Sequence, residues 1–205
     1  MKNPWEDIPL NEYENHMKLD SVMQLQAMNE MMKDQLNIYP IKSAMILGIA
    51  GGNGLEHIHK EKLDKVYGVD INSDYLKEVK YRYSDLNKIL ECLCVDLTDD
   101  IHTLPNVDMI IANLLIEYIG YTCFQKVIYH VNPKYISCII QINREDTWIS
   151  DSPYLHTFDK LDEVHHQLEE ETLKNAMNEL DYVFIKKTEY PLPNGKMLVQ
   201  LDFKK

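Results

Sequence analysis

Residues 46–54, "ILGIAGGNG", place four of the chain's seven glycines directly after an apolar run. Glycine allows a positive φ and lets a ligand approach the backbone where a Cβ would collide. The G-x-G-x-x-G fingerprint of dinucleotide-binding proteins fails in every register of these glycines, and the Gly-Lys-Ser/Thr of a phosphate-binding loop does not follow. The stretch therefore predicts a strand-to-helix turn at a ligand site of another kind, the alternative being a tight turn with no ligand.

The segments around this turn alternate between apolar strands and helices. The helices are predicted from 53 to about 60, from 73 to about 86 and up to 130, and the strands are "AMILGI", "DKVYGVDI", "ILECLCVDL", "VDMIIANLL" and "KYISCIIQI". This alternation predicts a parallel sheet that is covered by helices on both faces. The chain ends with two further strands joined by a turn at 193–195, so the last strand should run antiparallel to its neighbour.

Less regular segments flank the alternating region. Apolar residues at three- and four-residue spacings predict a helix over 19–36, and we divide the chain into a helical extension, residues 1–42, that packs on a core domain, residues 43–205. After Asn143 the alternation stops for nearly twenty residues before a predicted helix over 162–180, and a connection of this length is usually functional or disordered. Four residues of the irregular segments are candidates for a substrate pocket: Tyr13, Trp148, Tyr154 and His156.

The composition restricts the possible partners. A formal net charge of -12 argues against binding to nucleic acid or to an anionic membrane through bulk electrostatics and favours a small-molecule or neutral partner. No segment has the apolar length of a signal peptide or of a membrane-spanning helix, so we expect a cytoplasmic protein. The four cysteines form no CxxC pair and the eight histidines show no ligand spacing, so we expect core thiols and no metal site. The oligomeric state is left open.

Two acids end the strands that follow the glycine loop. Asp70 closes "VYGVD", and its two oxygens match the vicinal hydroxyls of a ribose, although a helix cap or a surface acid is the ordinary alternative. Asp96 closes "LCVD" and can accept a hydrogen bond from the amino group of an adenine, a role for which the acids after it compete. Ile71 and Leu97, which follow the two acids, are suited to apolar contact with the base.

Four motifs together resemble one enzyme family. "ILGIAGGNG", "VYGVDIN", "LCVDLTD" and "VDMIIANLLIEYI", in this order, resemble the successive motifs of class I S-adenosylmethionine-dependent methyltransferases over roughly residues 43–203. The resemblance implies an α/β fold, a Rossmann-like three-layer α/β/α sandwich whose seven-stranded, mostly parallel sheet has the order 3-2-1-4-5-7-6 with the last strand antiparallel. It implies S-adenosylmethionine as the cofactor, with its methionine part at the glycine loop, its ribose at Asp70 and its adenine at Asp96. The candidate cofactor-binding residues are Gly48, Ala50, Gly52, Gly54, Asp70, Ile71, Asp96, Leu97 and Asn113.

The sequence departs from the family's pattern in two places. Aligning Gly54 with the last glycine of the family's acidic-x-G-x-G-x-G loop puts Gly48 where an acid is usual and Ala50 at the first glycine, so another group must hold the cofactor's amino group. The fourth strand ends in "NLLI" and not in the Asn/Asp-Pro-Pro-aromatic sequence that holds a flipped base or a glutamine amide, which argues against nucleic-acid bases as substrates. Asn113, at this strand end, is either a ligand group or a loop asparagine that satisfies the local backbone.

These observations predict a methyltransferase that acts on a small molecule. A sulfonium methyl donor is already activated, so the protein mainly orients and desolvates the reactants. A hydroxyl or a protonated amine as the acceptor would need a base, for which His156, Glu117 and Tyr118 are the candidates. The alternative is a non-catalytic regulatory or accessory protein that binds S-adenosylmethionine or S-adenosylhomocysteine, and a nicotinamide-dependent oxidoreductase is disfavoured by the glycine spacing.

Overall fold

A computed structural model describes residues 3–143 and 148–205 of the chain. The α-helices are α1 (Leu10–Met17), α2 (Gln24–Ile38), α3 (Ser73–Arg82), α4 (Ile116–Val131) and α5 (Glu170–Asn178). The strands are β1 (Ser43–Leu47), β2 (Lys65–Asp70), β3 (Leu90–Cys94), β4 (Met109–Asn113), β5 (Tyr135–Ile142), β6 (Val183–Pro191) and β7 (Met197–Lys204). Short 3-10 segments lie at Pro4–Glu6, Leu55–His57, Ser84–Leu86 and Leu155–Glu163.

All of these strands belong to one seven-stranded sheet of order β3-β2-β1-β4-β5-β7-β6. Strands β1 to β5 pair in parallel, whereas β7 is antiparallel to both β5 and β6. The order and the antiparallel last strand confirm the predicted fold class. Because the carboxyl ends of β1 to β4 meet at one edge, the residues that follow these strands come together there.

The two faces of the sheet bury separate apolar clusters. Met45 and Leu47 of β1 pack in the cluster that contains Phe124 of α4 and Leu173 of α5. The alternate residues of β1 pack on the opposite face with the apolar sides of α2 and α3. Successive strand residues point to opposite faces, so each buried strand needs apolar residues throughout, as the sequence provides.

Several helices differ from their sequence-based boundaries. The helix expected at 53–60 is only the 3-10 turn Leu55–His57, and α2 begins at Gln24, after Met23 with φ 56°. The helix expected over 162–180 forms only at Glu170–Asn178, because Leu168 is buried in the main core and the His166 amide donates to the Glu117 carbonyl at 2.6 Å. These tertiary contacts hold the chain extended where the periodicity favours a helix.

The extension carries more structure than its periodicity indicates, since α1 lies before the predicted helix. The division into a residue 1–42 extension and a residue 43–205 domain stays a prediction. Within residues 3–143 and 148–205, no helix has the length and apolar character needed to cross a membrane.

Candidate functional site

A cleft lies at the edge where the parallel strands end, and we call it the sheet-edge cleft. It contains about 700 Å³ of space, part of which is open to solvent. Seven of the nine candidate cofactor-binding residues line it: Gly48, Ala50, Asp70, Ile71, Asp96, Leu97 and Asn113. Its other walls come from residues that the sequence analysis did not assign to a cofactor: Asn3, Trp5, Tyr13, Val69, Tyr75, Val95, Leu114, Leu115, Tyr118 and Ile119.

Asp70 connects the floor of this cleft to the glycine loop. Its Oδ2 accepts a hydrogen bond from the Ala50 amide at 2.9 Å, and its Oδ1 accepts one from the Asn72 amide at 2.9 Å. Burial raises the pKa of Asp70 above its usual range, and these backbone donors oppose that shift. Because a carboxylate has roughly four acceptor positions, Asp70 keeps acceptor capacity for a ligand after fixing the loop.

Asp96 is anchored on one side only. Its Oδ1 accepts hydrogen bonds from the Thr98 amide at 2.9 Å and from the Thr98 hydroxyl at 2.7 Å. Its Oδ2 accepts no hydrogen bond from the residues that the structure describes, and Asp96 lines the cleft. The side chains that follow the two acids, Ile71 and Leu97, form apolar wall beside them. Two acceptors separated by apolar surface are therefore available in this cleft.

Gly52 and Gly54 do not line the sheet-edge cleft. A Cβ on Gly52 would lie 2.7 Å from the Tyr83 ring, and one on Gly54 would lie 2.5 Å from Cγ of Met32. Both glycines have positive φ, 82° and 89°. They let the loop pack closely on the protein, so they shape the backbone beside the cleft, and their predicted contact with a cofactor stays a prediction.

The side-chain amide of Asn113 is held by α2. Gln35 Nε2 donates to Asn113 Oδ1 and Asn113 Nδ2 donates to Gln35 Oε1, both at 2.9 Å. Gln35 also donates to the Ser137 hydroxyl at 2.9 Å and is fully buried. Asn113 lines the cleft, but its amide is paired with a helix side chain, an arrangement that the sequence did not indicate.

Residues 3–23, which we call the cap, close one side of the cleft through Trp5 and Tyr13. Two hydrogen bonds fix the cap to α3: Asn72 Nδ2 donates to the Trp5 carbonyl at 3.0 Å, and the Tyr75 hydroxyl donates to the Ile8 carbonyl at 2.9 Å. A salt bridge adds to them, since Arg82 donates through both terminal nitrogens to the Glu14 carboxylate. The cap is thus attached to the helix that follows Asp70.

A second space adjoins the cleft, and we call it the aromatic pocket. It contains about 570 Å³ of space and shares Trp5, Tyr13, Leu114 and Tyr118 with the sheet-edge cleft. Leu114 has φ 52°, a left-handed conformation that costs on the order of 1 kcal/mol for a non-glycine residue. Strain of this kind clusters at functional sites. The remaining walls are His16, Met17, Gln24, Glu117, Gln141, Trp148, Ile149, Ser150, Phe158, Leu161 and His165.

Glu117 brings a buried carboxyl group to the aromatic pocket. It is 5% exposed, its Oε1 accepts the Gln141 amide at 2.9 Å, and its Oε2 has no hydrogen-bond partner among the described residues. Burial raises the pKa of Glu117 to about 7, against the opposing effect of the backbone donors. Gly120, with φ 72° and ψ 164°, kinks α4 and separates the turn that carries Glu117 from the rest of the helix. The site therefore contains an acid that titrates near neutrality.

The other two candidate bases, Tyr118 and His156, differ from Glu117 and from each other in their surroundings. Tyr118 lines both spaces, but burial and the nearby Glu117 raise the pKa of its phenol well above 10, so it stays protonated. His156 lines neither space; it is 93% exposed and lies 3.3 Å from Asp159. Of the predicted pocket residues, Tyr13 and Trp148 line the aromatic pocket, whereas Tyr154 packs on the cluster formed by Ile8, Phe158 and Leu161.

Two histidines that the sequence analysis did not single out also line the aromatic pocket. His16 Nδ1 lies 2.7 Å from the Ser152 hydroxyl, and the His165 ring stacks on Trp148 with centroids 4.0 Å apart. Burial lowers the pKa of His16 and lowers that of His165 to about 4, with a further contribution from the charge of Lys196. Both rings are neutral at pH 7. No periodic pattern in the sequence points to either histidine, because both lie on segments that reach the pocket only through tertiary packing.

The charges of the two spaces share one sign. The acidic side chains lining the sheet-edge cleft are Asp70 and Asp96, and the aromatic pocket adds Glu117. Among the described lining residues there is no lysine or arginine. Nor do the described residues include a group of three or more His, Cys, Asp or Glu that could hold a metal ion. The arrangement suits cationic or neutral ligands and lacks the basic groups that bind phosphates.

Comparisons with known proteins place the fold. No family model matches the chain, and no curated protein sequence matches it significantly. Solved structures do match. The N-methyltransferase NodS from Bradyrhizobium japonicum WM9, in complex with S-adenosyl-L-homocysteine, aligns at 11% identity over 100% of this chain and 99% of its own, with a TM-score of 0.65.

Two further structures show the same architecture. Magnesium protoporphyrin IX methyltransferase from Synechocystis PCC 6803 with bound S-adenosylmethionine aligns at 10% identity over 98% of this chain and 88% of its own, with a TM-score of 0.63. The cyclopropane synthase MmaA2 from Mycobacterium tuberculosis aligns at 10% identity over 93% and 88%, with a TM-score of 0.65. At these identities the matches establish the fold, which is the Rossmann-like fold found in class I S-adenosylmethionine-dependent methyltransferases.

Proposed function

We propose that this chain is an S-adenosylmethionine-dependent methyltransferase that acts on a small molecule. The observation that carries the proposal is the junction of two spaces: a cleft with the Asp70 and Asp96 acceptors opens beside an aromatic pocket that contains Glu117. A cofactor-binding cleft alone would be enough for a protein that only binds the cofactor. An adjoining pocket with a titratable group provides room for a second reactant next to the first.

The residues of the sheet-edge cleft fit an adenosyl cofactor. Asp70 can accept both ribose hydroxyls, Asp96 Oδ2 can accept the adenine amino group, and Ile71 and Leu97 can contact the base. The acidic lining suits a ligand with a sulfonium charge and does not suit a dinucleotide phosphate. Solved proteins of the same fold, NodS and the magnesium protoporphyrin IX methyltransferase, bind S-adenosylhomocysteine and S-adenosylmethionine, and this supports the same cofactor here.

When bound, the cofactor would supply an electrophilic methyl group on a sulfonium. The chain's own residues would then hold the acceptor in line, exclude water and take a proton. The aromatic rings of the pocket exclude water, and Glu117, with a pKa of about 7, is matched to proton transfer at neutral pH.

Calorimetric titration with S-adenosylmethionine, S-adenosylhomocysteine and NAD tests the proposed cofactor. We expect both sulfur compounds to bind and NAD not to bind. Asp70→Ala should weaken S-adenosylhomocysteine by about 1.5–3 kcal/mol, the scale of hydrogen bonds to a charged group. Asp99→Ala is the matched control, since it removes an exposed acid that does not line the cleft. An unchanged affinity in a folded Asp70→Ala protein would remove Asp70 from the site.

The second candidate is a non-catalytic protein that binds the same cofactor. Gly48, which stands where the family's loop has an acid, favours it. The two candidates differ in one measurement: incubation of the protein with methyl-labelled S-adenosylmethionine and a cell metabolite extract transfers label only if the protein is an enzyme. Cofactor binding with no labelled product from any extract would favour the second candidate.

A further inference from the structure

The aromatic pocket contains a carboxylate oxygen that lacks a partner. Oε2 of Glu117 is buried and bonded to no described residue, whereas Oε1 is bonded to the backbone of β5. A buried carboxyl oxygen without a hydrogen bond is costly, so its presence on a side chain that lines a pocket points to a donor supplied by a ligand.

The pocket walls indicate the charge of that donor. Five aromatic side chains line the pocket, and they are Trp5, Tyr13, Tyr118, Trp148 and Phe158. Aromatic faces attract cations, most strongly where water is excluded. The lining histidines are neutral at pH 7, and the nearby Lys196 ammonium donates to the Trp148 carbonyl. Glu117 is thus the lining residue that gains a charge near neutral pH, and because that charge is negative it favours a cationic partner.

We infer that the methyl acceptor is a small primary or secondary amine, bound as its ammonium ion with the nitrogen at Glu117 Oε2 and its apolar body among the aromatic rings. The inference rests on the proposed function and names its substrate class. It is compatible with the "NLLI" sequence at the end of β4. A basic amine needs an acidic group that accepts its proton, and it does not need the Asn/Asp-Pro-Pro-aromatic sequence that holds a planar base or amide.

The proton balance of the reaction assigns Glu117 its part. The ammonium nitrogen gives one proton to Oε2, and its freed electron pair then forms a bond to the methyl carbon of the sulfonium donor. The carbon–sulfur bond breaks with its electron pair remaining on sulfur, which leaves a neutral thioether. The product is a methylated ammonium ion, and the proton on Glu117 passes to solvent.

Intrinsic fluorescence can measure acceptor binding directly, because both tryptophans of the chain, Trp5 and Trp148, line the aromatic pocket. With S-adenosylhomocysteine at saturation, we would titrate three probes of similar size: phenethylamine, 2-phenylethanol and 3-phenylpropionate. We expect phenethylamine to bind about tenfold to hundredfold more tightly than the alcohol, the scale of a hydrogen bond to a charged group, with the carboxylate weakest.

Two variants test whether Glu117 causes the preference. Glu117→Gln keeps the size of the side chain and the acceptor for the Gln141 amide, and it should abolish the preference for the amine. Asp159→Asn removes one exposed charge next to His156 and should keep the preference. Equal binding of the alcohol, tighter binding of the carboxylate, no binding of phenethylamine at millimolar concentration, or a preference that survives in Glu117→Gln would each overturn the inference.

The same experiment separates this inference from the proposed function. Calorimetry with S-adenosylhomocysteine comes first, and a protein that does not bind it contradicts the proposed function and the inference together. A protein that binds it in both the wild-type and the Glu117→Gln forms, but shows no preference for the amine, contradicts the inference alone.

Discussion

The sheet-edge cleft and the aromatic pocket differ in how deeply they bury an acid oxygen that has no donor. In the cleft, both oxygens of Asp70 and one of Asp96 are fixed by donors within the protein, and the other oxygen of Asp96 belongs to a side chain that is partly exposed. In the pocket, the oxygen of Glu117 that has no donor among the described residues is buried. Fixed acceptors form a binding surface that exists before the ligand arrives. A buried acid with an unused oxygen is completed only by what binds to it.

The two regions also differ in what supports them. The cleft stands on the ends of parallel strands, of which β2, β1 and β4 lie inside the sheet and β3 at its edge. The pocket is walled by the cap, the first turn of α4 and residues 148–165, which pack on the sheet from outside. A change in the cleft's support should therefore disturb the whole fold, whereas a change at the cap should act locally.

The largest effect is expected in the support of the cleft. Gly54→Ala combines a left-handed backbone, φ 89°, with a contact against Met32, and it should lower the free energy of unfolding by about 3 kcal/mol. Gly195→Ala is the matched control: φ is 81°, but nothing lies within 4 Å of the added Cβ, so we expect a loss of about 1 kcal/mol. Urea unfolding measures both. Equal losses of unfolding free energy in the two variants would show that α2 moves to accommodate the methyl group added at position 54.

The next effect concerns the pocket and depends on pH. The folded-state pKa of Glu117, about 7, lies above its ordinary value of 4.5. The folded protein therefore holds this proton more tightly than the unfolded chain does, and the resulting stability is present below pH 4.5 and lost as the pH rises to about 7. The loss should be about 3 kcal/mol, from about 1.4 kcal/mol per pH unit.

Glu117→Gln removes this titration, so the variant should gain about 3 kcal/mol in unfolding free energy relative to wild type between about pH 4 and about pH 8. Urea unfolding at the two pH values measures the gain. The charge of Glu117 acts on Tyr118, Tyr121 and Cys138, whose pKa values are all raised, so they stay uncharged over this range. His16 and His165 also line the pocket, but both proteins contain them, so the difference between the two proteins reports on Glu117. If the difference in unfolding free energy between the two proteins does not change with pH, this would contradict a buried Glu117 carboxyl with a raised pKa.

The difference between the cleft and the pocket also explains how much of each region can be predicted from the sequence. The strands and the acids at their ends are encoded locally, because a buried parallel strand must be apolar and the turn after it must be polar, whereas the strand order was implied only by the resemblance to a known family. Asp70 and Asp96 therefore lie in the cleft as expected. Gly52 and Gly54 were grouped with them by sequence, but local pattern does not say which way a loop faces, and both pack inward.

The pocket was only partly predictable. Tyr13 and Trp148 were found from their position in irregular segments, but the same argument selected His156, which lies on the surface. Trp5 and His165 have no pattern that links them to the site. The two residues lie more than a hundred positions apart in the chain, so only the packing of the cap on residues 148–165 brings them to one pocket. Residues 144–147, within the same connection, lie outside the described chain.

The smallest effect should be confined to the cap. Arg82 pairs with Glu14 of α1 and, at 2.9 Å, with Glu78 of its own helix. Glu14→Gln breaks only the pair that reaches the cap, a partly buried pair for which we expect about 1 kcal/mol, and amide exchange of residues 10–17 should then be roughly fivefold faster. Global stability should barely change, because the sheet is untouched.

Glu78→Gln is the control for that experiment, because it removes the other partner of the same arginine without touching the cap. It should leave exchange of residues 10–17 as in wild type. If the two variants accelerate exchange equally, the attachment of the cap depends on both ion pairs of Arg82 and not on the pair with Glu14 alone. If neither does, the cap is held by Asn72, Tyr75 and the Trp5–Tyr118 contact, whose ring centroids lie 4.8 Å apart. In that case the aromatic pocket, like the cleft, is formed before any ligand binds.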